Sequence, residues 1–297
     1  MATRKPLGLY GGSPGQFKPG DLIPVEHGGT GVSTLEALRN SLQVRKSLST
    51  SFILYVRTDG NDNNTGLNNT SGGAFATIQK AVDTAASLDL GLYDIVINVG
   101  IGTWTAPTLL RTLTGAGKVT IRGVNNNTTD TVISTNSADC FGGEFFGRYH
   151  FEYLKLQTTA SGACIFVQGS GILVTWANIN FGQTAGQHLL VANGAQIRAT
   201  GSYQISGGAT SHIATYDVCT AYFVGYTVTI TNNPAFSNAF ITAERNCSVI
   251  FVQATFAGSA TGTRYRSAFS SSVVTNGGEN YLPGSSAGVR ETGGQYS

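Results

Sequence analysis

Two cysteines and two histidines recur at one spacing and are the first candidates for metal chemistry. Cys140, Cys164, His188 and His212 follow one another at intervals of 24 residues. Cys and His are the ligands that Zn²⁺ prefers, at bond lengths of about 2.0–2.3 Å. A repeating β-structure would place the four side chains on successive turns about 4.8 Å apart, with the outer two about 14 Å apart. The spacing therefore predicts a stacked column of side chains and no metal site.

Carboxylates that could cleave a glycan are sparse in this chain. Glycosidases use two carboxylates about 5 to 9.5 Å apart. Asp139 and Glu144 lie near one predicted turn and are the pair that could be catalytic. Asp217 aligns with Arg245 one repeat later, which predicts a cross-strand charge pair. We expect no enzymatic activity, and glycan cleavage by Asp139 and Glu144 stays open as an alternative.

Several aromatic side chains could serve as platforms for sugar rings. Such residues are equally typical of packing and of interfaces, with the polar atom of Tyr or Trp at the surface. The sequence does not say which of them would bind a glycan. The candidates are Trp104, Trp176, Tyr203, Tyr222 and Tyr226.

Two further groups have a ligand-binding and a structural interpretation. The polar turn at 59–66 resembles a calcium loop but lacks the Glu at its twelfth position, so Asx turns to the backbone are expected.

Cys219 and Cys247 lie 28 residues apart and could be neighbours on successive turns. A disulfide would require their side chains to point together, and a reducing compartment disfavours it. We expect a half-buried ladder of cysteines.

Short β-strands must position all these residues, and they repeat along the chain. Apolar segments begin at 165, 189 and 213, and a fourth follows at 241 after a longer turn. Two more families of short strands run beside them, which makes three strands in every 24 or so residues. A β-solenoid has this pattern because each turn buries its apolar side only when turns stack. A β-sandwich is the alternative, but the hairpin turns that it requires are not evident.

Composition supports a β-rich chain and excludes some partners. Only 11% of the 297 residues are charged and 39 are Gly, which is a poor composition for long solvated helices. The net charge of +2 comes without a basic stripe, so we expect no nucleic-acid partner. No apolar run reaches the roughly 18 residues of a membrane span, and no secretory signal is evident.

The N-terminal part of the chain differs from the repeats. Residues 1–33 are rich in Gly and Pro and predict an extended arm. A short helix is expected within 34–50, capped by Ser33 or Thr34. A strand at 52–56, a polar turn and a helix over 75–86 follow.

Three stretches resemble known families. Residues 55–66 and 73–81 look like the opening of right-handed parallel β-helix proteins of the pectate-lyase-like superfamily, in which a helix caps the end of the solenoid. Residues 1–7, 25–32 and 37–42 resemble N-terminal regions of tailed-phage tail-fibre proteins. Residues 281–288 and 292–296 resemble the C-terminal ends of phage fibre and tail proteins. These resemblances imply a homotrimer whose arm is fixed to the virion. The implied attachment residues are Arg4, Lys5, Pro6, Leu7, Gly28, Gly29 and Gly31.

The expected fold is therefore all-β, a right-handed parallel β-helix with an N-terminal capping helix and an extended N-terminal arm. The expected parts are an attachment arm at 1–33, a connecting helix at 34–50, the capped β-helix at 51–275 and a terminal segment at 276–297 for trimer closure or tip contacts. The expected function is that of a tail-fibre or short tail-spike subunit assembled in the host cytoplasm. It would bind a host-surface glycan and other virion proteins, with no cofactor and no membrane insertion. A head-surface fibre and a polysaccharide depolymerase remain the alternatives.

Overall fold

The protein is a parallel β-solenoid of about eight turns. The computed structural model describes residues 7–10, 13–16, 32, 34–42 and 44–297. Each full turn contributes one strand to each of three parallel sheets, which contain ten, nine and seven strands. The predicted all-β solenoid is thereby confirmed.

The strands of the three sheets alternate along the chain. The 10-stranded sheet contains Phe52–Val56, Ile95–Val99, Val119–Gly123, Gly147–Glu152, Ile172–Ala177, Gln196–Ala199, Thr220–Val224, Ser248–Val252, Ser272–Val274 and Gln295–Tyr296. The 7-stranded sheet contains Gly102–Trp104, Thr131–Ser137, Lys155–Ser161, Asn180–Phe181, Tyr203–Ile205, Thr227–Ile230 and Thr255–Ala257. The 9-stranded sheet contains Thr108–Leu109, Phe141–Glu144, Ile165–Gln168, Leu189–Ala192, Ala209–Tyr216, Ala235–Glu244, Thr261–Gly262, Tyr265–Ala268 and Val289–Arg290.

The register of the 9-stranded sheet follows the 24-residue repeat. Phe141 pairs with Ile165, Ile165 with Leu189, and Leu189 with Ile213. The 28-residue step then pairs Ile213 with Ile241. All five of these side chains are buried. The repeat is fixed because a slip of one residue would turn the apolar set outward.

The core is a continuous column of apolar side chains inside the three sheets. Alternation along each strand sends every second side chain inward, as at Val228 and Ile230, while Thr229 is exposed. Aromatic rings stack between turns, and the rings of Phe223 and Phe251 lie 4.0 Å apart at 5°. Each such pair adds about 0.5–1.5 kcal/mol beyond the buried area.

Left-handed backbone conformations form the corner between the 9-stranded and 10-stranded sheets. Asp217 and Val218 have φ values of 64° and 62°, and Arg245 and Asn246 have 62° and 60° on the next turn. The turns are joined there by the Val218 N–H, which donates to the Arg245 carbonyl at 2.9 Å. The Arg245 side chain also pairs with Asp217, with 3.1 Å between Nη2 and Oδ2. This confirms the predicted charge pair.

A helix lies beside the first strands of the solenoid. It runs from Ile78 to Ala86 and buries Ile78, Val82 and Ala85. The carboxylate of Asp62 holds its start, because Oδ1 accepts from the Thr77 N–H at 3.0 Å and Oδ2 from the Thr77 hydroxyl at 2.8 Å. The polar turn at 59–66 contains the predicted kind of Asx bond, in which Asn61 Oδ1 accepts from the Asn63 N–H at 2.9 Å, and its Asp59 pairs with Arg57. The role of the helix as a cap stays a prediction.

The chain divides into two compact units, Met1–Lys46 and Ser47–Ser297. The first contains the helix Leu35–Ser41, capped by Thr34, and an antiparallel pair of strands, Leu7–Tyr10 and Ser13–Gln16. Two-residue strands lie at Lys46–Ser47 and Leu88–Asp89. No helix among the described residues is long and apolar enough to cross a membrane. The predicted attachment residues Arg4, Lys5, Pro6, Gly28, Gly29 and Gly31 lie outside the described residues, and Leu7 begins the first strand.

Parallel pairing continues beyond the predicted boundary at residue 275. Val289–Arg290 pairs with the strand Tyr265–Ala268, and Gln295–Tyr296 pairs with Ser272–Val274. The ring of Tyr296 stacks on Tyr265 with 4.1 Å between centroids. The last residues therefore add to the solenoid, and their role in trimer closure or tip contacts stays a prediction.

Candidate glycan-binding groove

A polar groove of about 380 Å³ lies where the 10-stranded sheet turns into the 7-stranded sheet. It spans successive turns of the solenoid, because its lining residues come from the loops that follow four strands of the 10-stranded sheet and from the 7-stranded sheet itself. The lining residues are Asn126, Asn127, Thr128, Tyr153, Asn178, Ile179, Ser202, Tyr203, Gln204 and Thr229.

The loop 124–130 forms one wall of the groove. Its conformation is held by Asp130, whose carboxylate accepts from the Asn125 amide at 2.7 Å and from the Asn127 amide at 2.9 Å. The Asn127 Oδ1 atom in turn accepts from the Thr129 N–H at 3.1 Å. On the sheet side, Asn126 Oδ1 accepts from Arg122 Nη2 at 3.1 Å. The wall is therefore organised before any ligand arrives.

Corner residues of the following turns form the other wall of the groove. Tyr153 and Asn178 each adopt a left-handed conformation, with φ values of 55° and 51°. The Tyr153 N–H donates to the Asn178 carbonyl at 3.0 Å, and the Asn178 N–H donates to the Ser202 carbonyl at 2.8 Å. This backbone ladder joins three turns and fixes the corner side chains at the spacing of the solenoid. Asn178 and Ser202 are exposed there.

The groove has no ionised side chain in its lining, and the guanidinium of Arg122 beside it is already paired. Arg122 forms an ion pair with Glu152, with 3.4 Å between Nε and Oε1, and its guanidinium lies 5.3 Å from the centre of the Tyr153 ring. His150 Nε2 lies 4.0 Å from Glu152 Oε2, and its Nδ1 lies 2.8 Å from Thr175 Oγ1. Burial, assisted by the positive charge of Lys118, lowers the pKa of His150 to about 4, so its ring is neutral at pH 7.

The groove therefore offers amides, hydroxyls and the ring of Tyr153. Amide side chains supply both donors and acceptors, and hydroxyls do the same. These groups can form hydrogen bonds with the hydroxyls of a ligand.

The two predicted catalytic carboxylates lie elsewhere: Asp139 precedes the strand Phe141–Glu144 of the 9-stranded sheet by two residues, and Glu144 ends that strand. Asp139 lines a second pocket of about 340 Å³ with Leu109 and Phe166. Its Oδ1 accepts from the Ala163 N–H at 2.7 Å, and burial raises the pKa of its carboxyl. Glu144 is exposed at the end of its strand and is not part of that pocket's lining. Their predicted catalytic role is not tested by these positions.

The predicted aromatic platforms have very different exposures. Trp176 is fully buried among core rings, and Tyr203 is 4% exposed with its hydroxyl bonded to His212, so neither has a free ring face. Trp104 is 9% exposed, and its Nε1 donates to the Gly100 carbonyl at 3.1 Å. Tyr222 lies on the outer face of the 10-stranded sheet under the guanidinium of Arg198. Tyr226 packs against the core.

The predicted column of cysteines and histidines is present inside the core. His188 and His212 are fully buried neighbours, with 3.1 Å between their Nδ1 atoms. Cys140 and Cys164 are also fully buried, and all four cysteines of the chain are free thiols. Within the described residues, no three His, Cys, Asp or Glu side chains are grouped so as to hold a metal ion. The four side chains stack along the axis, as the spacing predicted.

The second predicted pair of thiols is also present. The Cys219 N–H donates to Cys247 Sγ at 3.2 Å, which places the two residues on neighbouring turns. Both are buried free thiols, with 1% and 2% of their surface exposed, so the ladder lies deeper than the half-buried one that was predicted.

Sequence reasoning did not find the groove residues Asn126, Tyr153 and Asn178. The run Asn125–Asn127 was visible as a polar interruption between two strands. The corner positions carried a weaker signal, a polar residue between two apolar strands, as in Ala177-Asn178-Ile179.

Three comparisons with known proteins were made. No family model, no curated protein and no solved structure matches the chain.

Proposed function

We propose that the chain is a tail-fibre or short tail-spike subunit of a bacteriophage virion that contacts the host surface through its β-solenoid. The observation that carries the proposal is the preformed polar groove at the corner of the solenoid, lined by amides, hydroxyls and Tyr153. The resemblance of both chain ends to phage fibre and tail proteins supports the virion context.

The proposed mechanism is adhesion by a rigid rod. Parallel strands on successive turns hold the groove at a fixed geometry, so that binding costs little ordering of the protein. A single shallow polar site binds a glycan weakly. Three copies in a homotrimer, engaged on one polymer, would raise the avidity well above the affinity of one site. The N-terminal arm would join the subunit to other virion proteins.

Competition with the virion tests this proposal. The purified full chain is added to cells of the strain that propagates the phage, and adsorption of virions is counted as a function of chain concentration. Saturable inhibition of adsorption is the expected result. Unchanged adsorption at concentrations that saturate any cell binding would overturn the host-contact role.

A glycan depolymerase is the second candidate, favoured by the half-buried carboxyl of Asp139. A carboxyl whose pKa is raised by burial can act as a general acid. Asp139→Asn and Glu144→Gln variants separate the two functions. A depolymerase would lose its release of reducing ends in either variant, whereas an adhesin releases none in any variant.

A further inference from the structure

We infer that the groove between the loop 124–130 and the corner residues Tyr153 and Asn178 binds an uncharged segment of a polysaccharide, with amide contacts from both walls. This inference rests on the proposed host-surface function and names the ligand class and the site. None of the predicted glycan-binding residues except Tyr203 lines this groove.

Charge favours a neutral ligand. All the lining side chains are uncharged. The adjacent cation, Arg122, is already engaged by Glu152, by the Asn126 amide oxygen and by the Tyr153 ring. A uronate or sialate carboxylate, or a sulfate ester, would have to leave water without a cationic side chain in the lining to receive it, which is unfavourable. A neutral sugar makes no such demand.

The hydrogen-bonding groups that remain open match the hydroxyls of a sugar. Asn126 Oδ1 accepts from Arg122, so its Nδ2 group is oriented as a donor. Gln204 Nε2 donates to Thr231 Oγ1 at 3.2 Å, which orients its Oε1 as an acceptor. The exposed amide of Asn178 supplies one donor group and one acceptor. A sugar hydroxyl both donates and accepts, so adjacent hydroxyls can satisfy donors and acceptors in alternation.

Tyr153 adds a ring to this polar set. The Arg122 guanidinium lies over the ring at 5.3 Å, and the ring borders the groove. Its backbone has a φ of 55°, a conformation that costs roughly 1–2 kcal/mol for a residue with a Cβ. We assign Tyr153 as the platform against which one sugar ring packs.

A matched pair of variants tests the inference. Asn178→Gly removes the groove amide at a corner where φ is 51°, and Asn246→Gly removes an exposed amide at another corner where φ is 60°. Gly accepts both conformations, so the two variants should share one folding cost. The full chain and both variants are applied to an array of defined oligosaccharides, half neutral and half carrying carboxylate or sulfate. Surface polysaccharide of the propagating strain is measured in parallel.

We expect neutral oligosaccharides to bind, about tenfold more weakly to Asn178→Gly and unchanged to Asn246→Gly. Binding of anionic oligosaccharides alone would overturn the inferred ligand class. Equal binding by the chain and Asn178→Gly would overturn the site while leaving the host-contact function intact. Failure to bind both the array and the host polysaccharide would remove the inference together with the proposed function.

Discussion

The buried imidazoles predict that this solenoid loses stability in mild acid. His188 Nε2 faces the Gly182 carbonyl at 2.9 Å, which can only accept, so this nitrogen carries the proton of the neutral ring. His188 Nδ1 is then an acceptor, and the His212 Nδ1–H donates to it at 3.1 Å. His212 Nε2 in turn accepts from the Tyr203 hydroxyl at 2.9 Å. One set of tautomers satisfies every group in the chain of hydrogen bonds.

A proton added to either ring would place a positive charge in the fully buried core, where loss of water disfavours the charged form. Burial lowers the pKa of His188 to about 4, and burial followed by the charge of His188 lowers the pKa of His212 well below its ordinary value. An unfolded histidine titrates near 6.5, so the unfolded chain binds more protons below that pH. The stabilisation is therefore fully present above about pH 6.5 and is lost as the pH falls towards 4.

The magnitude follows from the shift of His188. Between pH 7 and pH 5 this one group should lower the free energy of unfolding by about 2 kcal/mol. His212 acts in the same direction over the same range. His150, on the outer face of the 10-stranded sheet, also has its pKa lowered to about 4, so its protonation further lowers the free energy of unfolding.

Denaturant unfolding of the full chain at pH 7 and pH 5 measures this loss. His188→Gln removes one titrating group, so the loss between the two pH values should shrink by about 2 kcal/mol. Tyr203→Phe is the control, since it leaves His212 Nε2 without a donor and costs about 1–3 kcal/mol at pH 7 while both histidines still titrate. An unchanged pH dependence in His188→Gln, or stability that rises from pH 7 to pH 5, would refute the reasoning.

Three further substitutions have expected outcomes in thermal or denaturant unfolding. Val218→Asn should stabilise the chain by about 1 kcal/mol, because a β-branched residue is strained at its φ of 62°; no gain would show that the corner is relaxed. Asp62→Ala should cost about 1–3 kcal/mol, since it removes the acceptors at Thr77 that begin the helix, and a neutral result would contradict that role. Arg245→Ala should cost less than about 1 kcal/mol, because its pair with Asp217 is exposed; a larger loss would mean that the pair holds the corner together.

The solenoid could be predicted because inward side chains must repeat in register. Apolar residues such as Phe141 and Ile165 recur at the turn length, and a stacked core leaves them no other arrangement. The same alternation predicts that Trp176 is buried, because it lies two and four residues after the inward-facing Val174 and Ile172 on one strand. An inward-facing ring is not available to a sugar, and this could have been inferred from the sequence.

The groove and the imidazole chain could not be predicted in the same way. The groove depends on left-handed corners at Tyr153 and Asn178 and on the loop 124–130, where the strand repeat is interrupted. Such positions are set by three-dimensional packing rather than by periodicity. The 24-residue spacing predicts that His188 lies next to His212. The hydrogen bond from the Tyr203 hydroxyl to His212 could not be predicted, because it depends on how the 7-stranded sheet packs against the two histidines.

Surface polysaccharide of the strain that propagates the phage provides the most direct test of the proposed function. The purified chain is incubated with it, and the bound fraction, the polymer size and new reducing ends are measured together. The account predicts that the polymer is bound at its original length. Shortened polymer would contradict the adhesin and direct attention to Asp139, and intact polymer that is not bound would contradict any host-surface role for the solenoid.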